Sequence, residues 1–522
     1  MPGDTLNINT KGVQQNSYDA IVIGSGISGG WAAKELCDHG IKTLLLERGR
    51  NVEHIQDYPT ATKAPWEFKN RGDMSRQFLK ENPLISKAAG FGDDTAHFFI
   101  KDKDHPYIQE KPFDWIRGYQ VGGKSLTWGR ACQRWSEFEF VNPAKFGYGV
   151  EWPIGYKDIA PWYSHVEKFV GVCGTRDGIE AMPDGEFLPP FEFNCAEEHI
   201  RGKLRTHYKD RHMVHARWAQ LTQPNEIHLQ QGRAKCQARN KCMRGCPFGG
   251  YFSSVTSTLP WAKKTGNLTI RPFSVAHSVI YDEKKKKAIG VRVIDANTKE
   301  VTDFFARVIF INASALNSLL VLLNSTSNRF PGGLGNDSGL LGKYVAFHNY
   351  RVSVHATLEG MEDKYYYGRN PTEPILANYR NLHKQDTDYV GGFTTFMGAY
   401  RARGSTKGLQ EEIGVAFKEA MAEPGEWRAY MYMQGETIPK ESNHVRLSTD
   451  QKDQWGIPLL IMSVDYDEND EKMIKDFLTE SEEMLQKAGC RNIEPYDSHQ
   501  ALDWIFTRWV AAEWERILKH PC

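Results

Sequence analysis

Two groups of residues in this 522-residue chain have types and spacings suited to chemistry. The first is Gly24-Ser-Gly26-Ile-Ser-Gly29, placed after the apolar run Ala20-Ile-Val-Ile23 and before a segment with helical spacing, Trp31 to Asp38. In that setting a G-x-G-x-x-G binds a dinucleotide. Gly24 allows the tight turn, Gly26 lets a pyrophosphate approach the backbone, and Gly29 lets the helix pack on the strand. The helix N-terminus then offers free N–H groups and its positive dipole end to the phosphates. Glu47 closes a second strand-like run that starts at Lys42. A carboxylate at that distance accepts hydrogen bonds from ribose hydroxyls and repels a 2′-phosphate. A second glycine segment, Gly118 to Gly129, contains Gly122-Gly123, which lets backbone approach a flat, bulky group, and Thr127-Trp128, whose indole can border it. That segment favours a flavin over a nicotinamide.

The second group is Cys236, Cys242 and Cys246, three of nine cysteines within eleven residues. The spacing is C-x5-C-x3-C followed by Pro247. Zinc sites usually have four ligands and paired C-x2-C spacing, so zinc fits poorly. Three thiolates followed by Cys-Pro suit an iron–sulfur cluster better, and Arg239 and Arg244 would offset its negative charge. A structural cysteine-rich loop is the alternative. The remaining cysteines are scattered and read as buried free thiols. An odd count in a long chain argues against a disulfide framework.

The elements that must position these groups are visible as periodicities. Strand signals recur at Leu268 to Arg271, at Ile289 to Ile294 and Val301 to Phe305 (a hairpin around Asp295 to Lys299), and at Arg307 to Asn312, with a helix from Ser314 to Leu323. Residues 345–440 alternate aromatic and small side chains as a large antiparallel sheet does, and 468–489 has the period of one amphipathic helix. The nucleotide-type signals enclose other material, which predicts an α/β chain, α+β overall, with a Rossmann-like domain interleaved with an antiparallel-sheet domain. The expected boundaries are 18–150 with 267–345 for the dinucleotide domain, 151–266 for a helical and loop insertion with the cysteines, 346–500 for the substrate domain, and 501–522 for a tail.

Composition bounds the remainder. Hydrophobic residues are 40% and charged residues 25%, ordinary for a globular protein. Lys+Arg and Asp+Glu both number 65, so no net field draws the chain to nucleic acid or an anionic membrane. The run Lys284 to Lys287 reads as a solvated hairpin turn. No apolar run is long enough to span a membrane, and the first 20 residues lack a secretory h-region. The expected location is cytoplasmic, the alternative being periplasmic by export with a signal-bearing partner.

The segments Tyr18 to Gly30, Val121-Gly-Gly-Lys-Ser-Leu-Thr-Trp128, Asn443 to Ser448 and Asp453 to Pro458 together resemble the glucose–methanol–choline (GMC) oxidoreductases over residues 18 to about 500. The likeness is greatest to bacterial FAD-dependent sugar dehydrogenases such as glucoside 3-dehydrogenases, and more distant to pyranose oxidase. It implies FAD, a sugar or glycoside substrate oxidised at a CH–OH group, and an external electron acceptor. An oxygen-using oxidase or an inactive remnant are the alternatives. Where pyranose oxidase carries its flavin-linked histidine this chain has Thr127, which implies non-covalent FAD. The cysteine spacing resembles the [3Fe-4S] segment of bacterial glucose dehydrogenases, and with it come a small subunit and a cytochrome-type acceptor as implied partners. The usual Ala-Gly-Ala after the last strand is Ala313-Ser314-Ala315 here, which should crowd the cofactor.

The family's catalytic histidine lies in a His-Glu-Met-Gly segment that this chain does not show, so no catalytic residue is assigned. His348 and His444 sit in strand-like runs and read as structural. Joining the third base of each codon to the next two bases across 504–521 admits Asp-Ile-His-Glu-Met-Gly-Gly-x-Arg-Met-Gly-x-Asp-Pro-Lys-Thr-Ser. The expectation is a frame change near 495–502.

Overall fold

The strand Ser17–Ile23 owes its place to its last four residues, all apolar and all buried. In the computed structural model, which describes residues 16–68, 74–88, 90–364, 372–402, 414–499 and 508–510, it lies inside a six-stranded sheet. Thr43–Leu46 and Val301–Ile311 flank it in parallel, and Leu268–Arg271 continues the parallel part beyond Thr43–Leu46. Strands buried on both faces read as continuous apolar runs, as Leu44-Leu-Leu46 does. Lys287–Asp295 and Ser274–Asp282 close the other edge as an antiparallel meander. The turn between them holds Lys284 and Lys285, whose backbone N–H groups both donate to Asp282.

One expectation needs correcting. Val301 to Phe305 and Arg307 to Asn312 are a single strand, Val301–Ile311. Its first half pairs with Gly290 to Ile294 and its second half with Ser17–Ile23, so a change of partner at Phe305 had the look of a break.

The second sheet has eight strands. Along its path Arg491–Asp497, Val352–Leu358, Trp427–Glu436, Phe393–Arg401, Pro374–Leu376 and Met213–His215 are neighbours, all antiparallel. Val345–Asn349 pairs with the end of Trp427–Glu436, and the backbone of Arg508–Val510 pairs with Val345 to Phe347. The rest of 501–522, with the frame expectation, lies outside the described residues. Met213–His215 comes from the middle of the chain, so the segment 151–266 contributes an edge strand to this sheet.

Odd positions of Trp427–Glu436 (Trp427, Ala429, Met431, Met433) face a core with helices Cys195–His207 and Glu468–Lys487. Even positions (Tyr430, Tyr432, Gln434, Glu436) face the other way, as the period-2 pleat requires. A third, three-stranded sheet joins His444–Lys452 and Pro458–Ser463 to Ile108–Gln109. No helix among the described residues is long and apolar enough to cross a membrane.

Candidate FAD cradle and thiol pocket

The glycine turn is built as its spacing predicts. Gly24 has φ +97°, and a Cβ there would strike the backbone of Asn312 and Ala313. A Cβ on Gly29 would overlap the Gly24 carbonyl oxygen. These two glycines therefore let the helix Ile27–Asp38 and the last strand close on each other. Gly26 differs: a Cβ there meets nothing within 4 Å, so its exposed backbone faces open space. It is also the N-cap of that helix and provides no side-chain cap, leaving the first N–H groups for a ligand.

Gly123 (φ +50°) approaches so closely that its Cβ would lie 3.3 Å from the Gly26 Cα. The two glycine segments predicted from sequence thus meet. Gly122 (φ +91°) starts the short 3-10 turn Gly123–Leu126, and its N–H donates to Ser25 Oγ at 3.0 Å. Thr127 is buried, and the Trp128 indole N–H donates to the Phe252 carbonyl at 2.8 Å. Glu47 accepts from Ser25 N–H at 3.2 Å, from Gly49 N–H at 3.0 Å and from the Ser25 hydroxyl. Burial pushes its carboxyl up, against those donors. A carboxylate has about four acceptor positions, so one remains for a ribose hydroxyl.

Sequence reasoning missed Asn312 and understated Ser314. Asn312 Oδ1 is buried without a hydrogen-bond partner among the described residues, beside Gly24 and Gly29. Ser314 caps the second helix, Ala315–Asn324, at φ 65°, ψ 162°, a region that belongs almost wholly to glycine. The cradle thus has two helix N-termini, an open glycine, an orphaned amide oxygen and a buried acid. That set fits the diphosphate and ribose of a dinucleotide.

The three cysteines line one small pocket with Gln220, Tyr251 and Phe248. The Gln220 amide donates to Cys236 Sγ at 2.9 Å, Ala238 N–H to the same sulfur at 3.4 Å, and Gly250 N–H to Cys246 Sγ at 3.4 Å. Burial pushes the Cys236 and Cys246 thiols up. Arg239 donates to the Ala61 carbonyl, and Arg244 to Asp94 and the Lys63 carbonyl, which pins the loop. Arg233 is buried behind it with Nη2 unbonded among the described residues. No three Cys, His, Asp or Glu side chains among the described residues are gathered closely enough to hold a single metal ion. A lone zinc therefore does not fit. N–H donors to sulfur are of the kind that tune an iron–sulfur cluster's potential.

His348 lies in Val345–Asn349, opposite Glu436. Burial holds its imidazole down to about 4, so it is neutral at neutral pH. His444 lies in the third sheet, with Nδ1 on the Ser442 carbonyl at 2.9 Å.

Residues 18–348 match the profile of the GMC oxidoreductases. The chain belongs to that family. It is similar to 2-methyl-1,2-propanediol dehydrogenase of Mycolicibacterium austroafricanum, 26% identical, covering 87% of this chain and 77% of the relative. It is also similar to the fructose dehydrogenase large subunit of Gluconobacter japonicus, 24% identical, covering 85% and 78%. Paromamine 6'-oxidase of Streptomyces fradiae is 25% identical over 92% and 79%. Among solved structures, a formate oxidase of Aspergillus oryzae superposes with TM-score 0.53 at 13% identity, covering 93% of this chain and 84% of its own. That likeness supports the shared fold, and membership of the family makes the chain an FAD-dependent oxidoreductase acting on CH–OH groups.

Proposed function

We propose that this chain oxidises a CH–OH group of a sugar or glycoside and passes the electrons to an external acceptor rather than to oxygen. The observation that carries the reading is the meeting of Gly26 and Gly123, with Tyr251 of the thiol pocket bonded to the Leu126 carbonyl at the end of the same turn. Relatives named for fructose and for paromamine support the substrate class. Bound non-covalently at Gly24, Gly26, Gly29, Glu47, Gly122, Gly123, Thr127 and Trp128, FAD supplies the hydride acceptor. Gly26 and the uncapped helix hold the diphosphate, and Glu47 orients the ribose. Cys236, Cys242 and Cys246 hold a [3Fe-4S] cluster as the exit for electrons. A small subunit and a cytochrome-type protein are the proposed partners, as the subunit designation of the fructose dehydrogenase relative suggests.

The assignment is tested by absorbance of the purified protein and by Gly26→Trp. A Cβ at Gly26 meets nothing within 4 Å, so a side chain can leave the backbone there, and the variant should fold yet lose its flavin bands. Stoichiometric flavin in that variant would sink the cradle. The general base is proposed to lie in the shifted-frame reading of 504–521. Restoring that frame should raise sugar turnover by about 10²–10⁴-fold over the chain as written, and full activity without repair would reject it.

A further inference from the structure

At one edge of the eight-stranded sheet lies a cavity of about 390 Å³, a size within the range of small-molecule sites. None of the cradle residues lines it. Met213 and Val214 of the edge strand Met213–His215 form one wall, beside Ala377 and Tyr379, which follow the neighbouring strand Pro374–Leu376. The loop from Asp177 to Ala181, Asp210, and Arg205 of the helix Cys195–His207 close the other sides. Ile179, Met213 and Leu382 give it apolar surface, so the site offers carbon as well as charge a place to rest.

The charge around this cavity does not balance. Arg217 is wholly buried and is shared by Asp177 at 3.2 Å and Asp184 at 3.8 Å. Arg211 is likewise shared by Asp210 at 2.6 Å and Glu480 at 2.7 Å. Two guanidinium groups therefore face four carboxylates. Glu180 adds another acid, paired with His383 at 3.1 Å, and Arg205 is the single further Lys or Arg on the lining. Asp177 Oδ1 and Asp210 Oδ1 accept no hydrogen bond among the described residues. Tyr379 points to a ligand independently of the acids. It is 9% exposed, it lines the cavity, and its hydroxyl has no partner among the described residues. Arg211 covers its ring at 3.6 Å, which leaves the hydroxyl edge to the cavity. A buried hydroxyl with no partner destabilises the fold unless a bound molecule supplies one. Burial pushes this phenol up, so it stays protonated and keeps oxygen lone pairs for a donor. The carboxylates are not gathered closely enough to hold a metal ion. Surplus negative charge, a free acceptor and apolar walls together suit a cation with a carbon skeleton.

We propose that this cavity is a second ligand site, which binds a small organic amine: the ammonium donates to the Tyr379 hydroxyl and to the lining carboxylates, and the carbon chain lies on Ile179, Met213 and Leu382. The site is separate from the cradle, so it does not depend on the sugar reading. The test is calorimetric titration of the FAD-loaded full chain with the diamine putrescine and with 1,4-butanediol, its neutral counterpart of the same length, in wild type, Asp210→Asn and Tyr379→Phe. A hydrogen bond to a charged group contributes about 10- to 100-fold in affinity, and one whose acceptor is a neutral hydroxyl somewhat less. Wild type should therefore bind putrescine at least about tenfold more tightly than the diol. Asp210→Asn should weaken putrescine about tenfold, and Tyr379→Phe about threefold or more, with flavin content at the wild-type level in both. No binding of putrescine to wild type, or binding no tighter than that of the diol, overturns the proposal. Unchanged affinity for putrescine in either variant overturns it as well, since the amine would then sit elsewhere. If Tyr379→Phe fails to fold, Asp210→Asn decides, because the Asp210 side chain is largely exposed and its change to an amide leaves the core untouched.

Discussion

Ser314 holds a backbone conformation that only glycine adopts freely, at φ 65°, ψ 162°, where the chain leaves the last parallel strand for a helix. Strain of this kind costs on the order of 1–3 kcal/mol. Ser314→Gly should therefore raise the unfolding free energy by about 1 kcal/mol, measured by denaturant titration, the extra flexibility of an unfolded glycine reducing the gain. An unchanged or lowered midpoint would show that the serine is not strained. The contrast between Gly26 and Gly29 belongs to the same scale. Gly29→Ala drives a methyl into the Gly24 carbonyl and should lower stability, whereas Gly26 has space for a side chain and is needed for its bare backbone. Sequence spacing named all three glycines. It also separated the packing role of Gly29 from the ligand role of Gly26; what it could not show is that Gly24 packs against the backbone of Asn312 and Ala313, nearly three hundred residues away. The two faces of the strand Trp427–Glu436 were legible from the alternation of Tyr430, Tyr432, Gln434 and Glu436 with Met431 and Met433. The nearness of Glu436 to Glu139 was not, since no local pattern links a helix at 137–145 to a strand at 427–436.

At the scale of elements, the helix Glu468–Lys487 shows how a sequence signal and a titration meet. Asp467 caps it, accepting from the N–H groups of Asn469 and Asp470, and Asp470 returns a bond to the Asp467 N–H. Lys440 helps hold the Asp467 carboxyl below its usual range, against its desolvation. Burial pushes Asp470 up to about 7, and its Oδ1 has no partner among the described residues. A folded carboxyl that binds its proton more tightly than the unfolded one adds stability below its ordinary range, and that stability is lost as pH rises through about 7. Denaturant titrations should thus show this protein more stable at pH 6 than at pH 8 as far as Asp470 contributes, and Asp470→Asn should shrink the difference. A difference of the same size in the variant would remove Asp470 as its source. The helix itself was readable from its period, and so were the hairpin and the first strand. The strand Val301–Ile311 was read as two because periodicity reports burial and is silent about which partner causes it.

For the whole molecule, the decisive relation is between the cradle and the thiol pocket, and Tyr251 makes it. Its ring lines the pocket with all three cysteines, its hydroxyl donates to the Leu126 carbonyl at 2.7 Å, and Leu126 ends the short turn that Gly123 starts against Gly26. Gln220, which bonds to Cys236, pairs with Tyr251 through its backbone. Two motifs more than a hundred residues apart in sequence are thereby joined by one side chain. The thiol pocket and the cradle glycines lie on different segments, so the proposed electron route can be cut without touching the glycines. Cys242→Ser should lose iron, measured by metal analysis of the purified protein, and should lose reduction of an external carrier. Flavin bands should remain, because none of the cradle glycines touches Cys242, and bleaching of the flavin by sugar in the frame-restored protein should persist. Iron content equal to wild type would show that Cys242 is no ligand. Loss of flavin together with iron would show that the pocket supports the cradle structurally through Tyr251, in place of carrying its electrons away.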